Sequence, residues 1–393
     1  MLPVNHLRNI SHFRLSSVLF GVISSRTIIM SSSTSSSIKQ EFSKVLVLKK
    51  YTRYEKLSKT YDTDGRDLKV CLQDSGWDVS KIVASHEIQQ NFENAVKTEL
   101  ARANIEYRFV TKNEYTEDQV QWADAILTLG GDGTFLQAAN KIRDRCTLLI
   151  GFNSMPETST GHLCLPKYYS QNLKEAITKI KEGKYKNLHR TRIKVSLRGS
   201  TSSHYLHSDD PPSRPRTLPE NEPKDFQILP ELALNDVYVG EYNSALVSKL
   251  IISTDQTPPA QQVKCSGMCI NTGSGSTAWY YTINKLNQAK VAQLLCLAGI
   301  DASQSKVADI TDKYNKSLQF SPDDSRLAFA IRDMISGDET MPETGYVQSL
   351  KIKSMCTNGA IMIDGNIGYD FHPGAEICLE TCRDYDLNTI ELT

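Results

Sequence analysis

The sequence predicts an α/β N-terminal half on a doubly wound parallel sheet, joined to a β-rich, β-sandwich-like C-terminal domain with a helical insertion. Three observations predict it. Short apolar runs alternate with amphipathic helical stretches over residues 44–166, the order that builds a parallel sheet covered on both faces. After Ile193 the apolar period becomes two, with Ile193, Val195 and Leu197 alternating with polar residues. Similar runs at 236–239, 250–253, 350–353, 360–364 and 376–379 follow without regular helices between them, which suggests antiparallel sheets packed face to face.

Taken in order, residues 44–50 (KVLVLKK) form a first strand, and 51–55 (YTRYE) form the loop leaving it. That end of an open α/β sheet faces the ligand crevice. Arg53, with Lys49 or Lys50, is therefore a candidate contact for phosphate; a solvated charge cluster is the alternative reading. Residues 82–100 place Ile88, Phe92, Val96 and Leu100 at intervals of four on one helical face. A strand at 106–110 and a short segment at 117–122 lead into 125–129 (AILTL), a short apolar run that reads as a buried strand. Residues 135–145 make the next helix, with Leu136, Ala139 and Ile142 on one face. Residues 147–152 (TLLIGF) form a further strand, leaving Asn153 just past its end at the crevice. A helix at 168–182 carries Leu173, Ile177 and Ile180 on one side.

The expected division is a leader at 1–43, an α/β domain at 44–166 and a β-rich domain at 167–393. Within the last, residues 200–225 are polar and Pro-rich and read as a flexible loop, and 283–335 as the helical insertion. The final strands are expected to return to the antiparallel sheets.

The chain has 393 residues, 45 basic and 45 acidic, so net charge shows no nucleic-acid or polybasic membrane footprint. The balance hides an asymmetry. Residues 1–40 hold Arg8, Arg14, Arg26 and Lys39 and no acid, leaving 41 basic against 45 acidic residues in the remainder. An acid-free, Ser- and Arg-rich leader with broken apolar patches fits a mitochondrial transit peptide; a disordered tail is the alternative. Its apolar stretch is too short to span a membrane. Met30 offers an internal start that omits the leader. Nine cysteines without Cys-x-x-Cys spacing predict neither a disulfide framework nor a structural zinc site.

Chemistry concentrates at 127–134 (LTLGGDGT). Strand, glycine loop and helix bring backbone N–H groups up to a phosphate, because glycine lacks Cβ and a helix N-terminus favours anions. A Walker A loop ends in Gly-Lys-Ser/Thr; here a carboxylate, Asp132, stands among the glycines Gly130, Gly131 and Gly133. An acid among phosphate-cradling amides repels phosphate unless a metal screens it or it has a proton to take. That points to a kinase that deprotonates a hydroxyl. The structural alternative is a tight turn with Asp132 capping the helix.

Gly130-Gly131-Asp132-Gly133-Thr134 resembles the signature of the NAD kinase family, shared with its distant diacylglycerol and sphingosine kinase relatives. The longer run 130–166 is similar to the mitochondrial branch of that family in animals. The resemblance spans 44 to the C-terminus, strongest at 130–166 and thinnest at 200–225. It implies phosphoryl transfer from ATP, or from polyphosphate, to the 2′-hydroxyl of the adenosine ribose of NAD. Asp132 would be the base, and Gly130, Gly131, Gly133, Thr134 and Arg53 the phosphate contacts. Mg²⁺ would bridge the donor phosphates without direct side-chain ligands.

Residues 271–279 (NTGSGSTAW) match the dehydrogenase fingerprint as Gly273-x-Gly275-x-x-Ala278, a weak signal in the wrong context. The stretch instead resembles the Thr-Pro-Thr-Gly-Ser-Thr-Ala-Tyr loop that holds NAD in the family, with Gly273 for Pro and Trp279 for Tyr. Thr272, Ser274, Ser276 and Thr277 would meet ribose and phosphate oxygens, Gly275 and Ala278 would allow close approach, and Trp279 would stack on a ring. A Ser/Gly-rich hairpin loop with Trp279 in the core is the alternative. Asn235-Asp236 resembles the family's Asn-Glu pair, one methylene shorter, and joins Asn153 in the implied NAD site. A further family acid falls on Ser266, so that carboxylate is missing. Asp364-Gly365 resembles a late Asp-Gly turn, which a plain hairpin also explains. The family context also implies a homodimer in the mitochondrial matrix. Two other readings stand beside it: a lipid kinase using the same loop, and a non-catalytic NAD(H)-binding sensor.

Overall fold

The computed structural model describes residues 42–61, 67–199, 225–255, 260–337 and 341–392. The expected leader, all but its last two residues, and nearly all of the polar loop at 200–225 lie outside them. The first half runs β1 (Lys44–Lys49), α1 (Arg53–Thr60), α2 (Leu68–Asp74), α3 (Val79–Arg102), β2 (Glu106–Val110), α4 (Glu117–Trp122), β3 (Ala125–Gly130) and α5 (Asp132–Ala139). It continues with β4 (Leu148–Asn153), α6 (Lys167–Gln171), α7 (Leu173–Glu182) and β5 (Tyr185–Arg190). Then come β6 (Ile193–Arg198), β7 (Gln227–Ala233), β8 (Asp236–Glu241), β9 (Ser248–Thr254), β10 (Gln261–Cys265) and β11 (Gly267–Asn271). Three helices follow, α8 (Trp279–Asn284), α9 (Gln288–Leu297) and α10 (Gln304–Ser317). The chain closes with β12 (Leu327–Arg332), β13 (Thr344–Val347), β14 (Ser349–Ser354), β15 (Gly359–Ile363), β16 (Ile367–Asp370), β17 (Glu376–Thr381) and β18 (Leu387–Leu392).

The first sheet has the order β2-β1-β3-β4-β18-β5, with β5 antiparallel to β18 and the other pairs parallel. Its strands are apolar on both sides because both sides are covered. Val45, Val47, Leu127 and Leu129 face Val96, Leu100 and Ile177 of α3 and α7. Leu46, Leu48 and Ile126 face Phe135, Leu136 and Ala139 of α5. The other two sheets, β10-β9-β14-β17-β6-β7 and β13-β12-β11-β8-β15-β16, pair antiparallel throughout. Their inner faces share one core, in which Val195, Ile252 and Ile377 meet Val239, Ile270, Phe329 and Ile361. That is a sandwich.

Several local expectations need correcting. Residues 53–60 are a helix, not a loop: Thr52 and Glu55 form a reciprocal capping box that starts it. In α3, Ile88 is 48% exposed, and the buried face runs instead through Ile82, Gln89, Glu93, Val96 and Leu100. α5 starts at Asp132 and ends at Ala139, with Ile142 buried in the turn beyond it. The helix expected at 168–182 is broken at Asn172 into α6 and α7. The insertion ends earlier than expected, since β12 lies within 283–335 and pairs with β11 and β13. The last strands do not all return to the sandwich either. β18 inserts between β4 and β5, with Leu387 and Ile390 buried, so the C-terminus completes the first sheet. Alternation of apolar residues reveals a strand but not the sheet it joins.

Candidate active site

At the C-terminal edge of the first sheet a cavity of about 930 Å³ opens, lined by Lys50, Lys56, Lys59, Lys112, Gly131, Gly133, Thr134 and Asn153 among others. The glycines at this edge serve different ends. A Cβ on Gly130 would lie 2.3 Å from Thr134 Oγ1, so packing within the loop forbids a side chain there. On Gly133 a Cβ would meet nothing within 4 Å, and on Gly131 only Ser159 Oγ at 4.0 Å. These two leave open space over the start of α5, whose first N–H groups have no partner within the helix.

Asp132 does not cap that helix. The N-cap is Gly131, without a side-chain cap bond. The Asp132 carboxylate instead accepts from two backbone donors, His162 N–H at Oδ2 (3.0 Å) and Leu163 N–H at Oδ1 (2.8 Å). Each oxygen keeps a further lone pair for a hydroxyl. The loop carrying these donors is shaped by Asn153. Its Oδ1 accepts from Met155 N–H (3.0 Å) and Ser159 Oγ (3.2 Å), and its Nδ2 donates to the Ser159 carbonyl (2.9 Å). Gly161 completes the turn at φ +64°, with Asn153 in the space a Cβ would need. Burial pushes the neighbouring Cys164 thiol up to about 12, and the Asp132 charge adds to that rise.

The hydroxyl loop meets the first sheet at Arg190, the last residue of β5. Ser274 Oγ accepts from Arg190 Nη1 at 3.1 Å. Desolvation brings the Arg190 guanidinium down to about 10, and the nearby Asp132 charge opposes that fall. Thr272 and Ser276 hold the loop's shape rather than offering free hydroxyls. Thr272 Oγ1 donates to the Leu234 carbonyl and accepts from Gly275 N–H (3.3 Å). Ser276 Oγ donates to the Gly273 carbonyl (2.7 Å) and accepts from Phe320 N–H (3.3 Å). Thr277 Oγ1 sits 3.4 Å from the Ser274 carbonyl. Gly275 packs so tightly on Asn235 that a Cβ would come within 2.1 Å of its carbonyl oxygen. Ala278 turns the chain into α8.

Asn235 and Asp236 are held by the late Asp-Gly turn. Asp364, at φ +48°, accepts from the N–H groups of Leu234 (2.9 Å), Asn235 (2.8 Å) and Asp236 (3.2 Å). Asn235 Oδ1 is buried without a hydrogen-bond partner. Burial, with the Asp364 charge beside it, pushes the Asp236 carboxyl up to about 7. Trp279 is 36% exposed and stacks on Tyr238, centroids 5.3 Å apart at 26°, with the Arg332 guanidinium 5.2 Å from its ring. The core alternative for Trp279 therefore falls. Ser266 N–H bonds the Arg332 carbonyl (2.8 Å), and its own carbonyl accepts from Tyr238 Oη (2.9 Å).

Among the phosphate candidates, Gly131, Gly133 and Thr134 come together with Lys50. Arg53 stands apart, its guanidinium 4.3 Å from the Trp77 ring centroid, and Lys49 pairs with Glu55 (3.2 Å) and Glu93 (3.5 Å). Sequence reading missed Lys56, Lys59 and Lys112, the His162 and Leu163 amides, and Arg190. Only the first two left a signal: the Thr52-x-x-Glu55 box starts a helix on which residues 56 and 59 share a face.

Comparison with known proteins fits this geometry. Residues 49–185 match the family described as ATP-NAD kinase N-terminal domain. The chain is 33% identical to "NAD kinase 2, mitochondrial" of Rattus norvegicus over 374 residues, covering 89% of this chain and 88% of the relative. The Homo sapiens protein of the same name is also 33% identical, with 89% and 84% covered. A solved structure of yeast NADH kinase complexed with NADH shares the fold at a TM-score of 0.51 and 18% identity, covering 90% of this chain and 84% of that one.

Proposed function

The chain belongs to the NAD kinase family, and we propose how its cleft moves the terminal phosphoryl group of ATP to the 2′-hydroxyl of the adenosine ribose of NAD. It is a phosphotransferase with an alcohol as acceptor. One observation carries the division of labour. The Asp132 carboxylate is fixed by two backbone donors, its neighbours Gly131 and Gly133 line the lysine-rich cavity, and its charge acts on the arginine that holds Ser274. The cavity takes the donor: Lys50, Lys56, Lys59 and Lys112 offset phosphate charge, and the open faces of Gly131 and Gly133 let phosphate oxygens reach the start of α5. The acceptor lies along the hydroxyl loop, with Asn235 Oδ1 open to accept a hydrogen bond from a ribose hydroxyl and Trp279 exposed for a ring. Asp132 removes the 2′-hydroxyl proton as that oxygen attacks the terminal phosphorus, and ADP leaves toward the lysines. Positioning a proton acceptor in this way contributes ~10²–10⁴ in rate.

Mg²⁺ is part of the same proposal. It is proposed as an ion carried by the donor phosphates and water rather than by a protein cage. When bound it would screen the phosphates from the Asp132 carboxylate. The acid-free leader and the mitochondrial relatives support delivery to the matrix through a transit peptide. A homodimer is proposed on the family resemblance, with sedimentation as its check. The test of the chemistry is Asp132→Asn, assayed for NADP from NAD and ATP. NADP formation is expected to fall by ~10²–10⁴ while NAD affinity stays within about twofold, and the unfolding midpoint drops modestly because the amide nitrogen cannot accept from one of the two backbone donors. Wild-type turnover by the variant would remove Asp132 from the mechanism.

A further inference from the structure

Three consecutive residues, Arg190, Thr191 and Arg192, grip three separate parts of the site. Arg192 is wholly buried and donates to the Ala139 (3.4 Å) and Ile142 (2.7 Å) carbonyls, at the far end of the helix that begins with Asp132, and to Tyr385. Thr191 N–H bonds the Pro322 carbonyl (2.8 Å). That segment abuts the hydroxyl loop, since a Cβ on Gly273 would come within 1.9 Å of the Ser321 oxygen. Arg190 reaches Ser274 itself.

Arg190 is the least compensated of the three. Its Nε is buried without a partner, and it forms no ion pair among the described residues. A desolvated guanidinium with one neutral partner is costly, and a fold retains such a group where it acts. Ser274 supplies that partner, and the charges of Asp132 and Glu391 act on the guanidinium without pairing with it. The fork of an arginine holds a hydroxyl in a fixed direction while keeping its charge, which a lysine does less well.

We infer that Arg190 is a positioning residue that ties the NAD-holding loop, through Ser274, to the strand and helix presenting Asp132. Acceptor and base then share one frame, while the donor phosphates are held separately by the lysines. The inference rests on the NAD kinase reading and adds a residue that neither the glycine loop nor the hydroxyl loop contains. Loss of the tether loosens the acceptor and leaves donor binding alone.

The experiment is a double-mutant cycle on the full chain, with Arg190→Met, Arg190→Lys and Ser274→Ala, read by initial rates at varied NAD and varied ATP. Losing one charged hydrogen bond is worth about 10- to 100-fold, so kcat/KM for NAD falls by that factor in Arg190→Met while KM for ATP stays within about twofold. Arg190→Lys recovers part of the loss. Ser274→Ala lowers kcat/KM for NAD in the same direction, and the double variant is no worse than Arg190→Met alone. Wild-type constants in Arg190→Met, additive losses in the double variant, or a loss confined to the ATP terms would overturn the assignment. Should Arg190→Met not fold, Ser274→Ala decides: an unchanged kcat/KM for NAD refutes the tether. A wild-type chain that makes no NADP sinks the kinase reading itself, whereas an active wild type with indifferent variants sinks only the role of Arg190.

Discussion

Replacing Gly133 by alanine separates what the fold needs from what the substrate needs. Gly133 is the second residue of α5, it is exposed, and a Cβ added there meets no protein atom within 4 Å. Its φ lies outside the left-handed region, so alanine adopts the same backbone. The substitution should therefore stabilise the chain by about 0.5–1 kcal/mol, because alanine has less backbone freedom to lose on folding. The same methyl stands in the open space at the start of α5, where a donor phosphate would approach the N–H groups. Losing one charge-assisted hydrogen bond costs about 1.5–3 kcal/mol, or roughly 10- to 100-fold in kcat/KM for ATP. Gly130→Ala is the contrasting control. Its Cβ would lie 2.3 Å from Thr134 Oγ1 and 3.1 Å from Lys50 Cβ, so it should destabilise by about 1–3 kcal/mol. Urea unfolding midpoints and ATP-varied initial rates at saturating NAD measure both quantities. A Gly133→Ala enzyme with wild-type kcat/KM for ATP would refute the idea that phosphate approaches this loop.

Three further outcomes follow from the same geometry. Gly273→Pro, which restores the family residue, should destabilise by about 1–3 kcal/mol despite a compatible φ of −58°, because the Ser321 carbonyl occupies the place of its Cβ; urea titration reads this directly. Lys56→Ala and Lys112→Ala should each raise KM for ATP by about 3- to 10-fold and leave KM for NAD unchanged, with a smaller effect at high salt. Asp236 is raised in the folded chain from 3.8 to about 7, so its neutral form is the one the fold favours. Stability should fall as pH rises from about 4 to 7, where the unfolded chain has already released this proton, and Asp236→Asn should flatten that slope in unfolding midpoints taken at each pH.

The loop at 130–134 was legible because its demands are local. Three glycines around an acid, between a buried strand and a helix, exceed what a turn requires. Even there the structure moved the helix start to Asp132 and gave the carboxylate partners 30 and 31 residues away, at His162 and Leu163. The hydroxyl loop was equally visible as a string of small polar residues. Their individual roles were not: Thr272 and Ser276 turn inward, and Ser274 faces Arg190, 84 residues earlier in the chain. Arg53 looked like a phosphate contact from its place after β1, yet the capping box turned that segment into a helix and set its guanidinium over Trp77.

By itself, then, the chain's order of residues determined the two architectures, the glycine loop with its carboxylate, and the small polar loop at 271–279. Each is specified by periodicity or backbone freedom within about a dozen consecutive residues. Only the tertiary structure decided that β18 completes the first sheet, that lysines from α1 and from the ends of β1 and β2 meet in one cavity, and that Asp364 clamps the backbone at 234–236. Those outcomes depend on groups as far apart in the chain as Leu148 and Asn388 competing to satisfy charges and hydrogen bonds away from water, and no local pattern encodes which of them will meet.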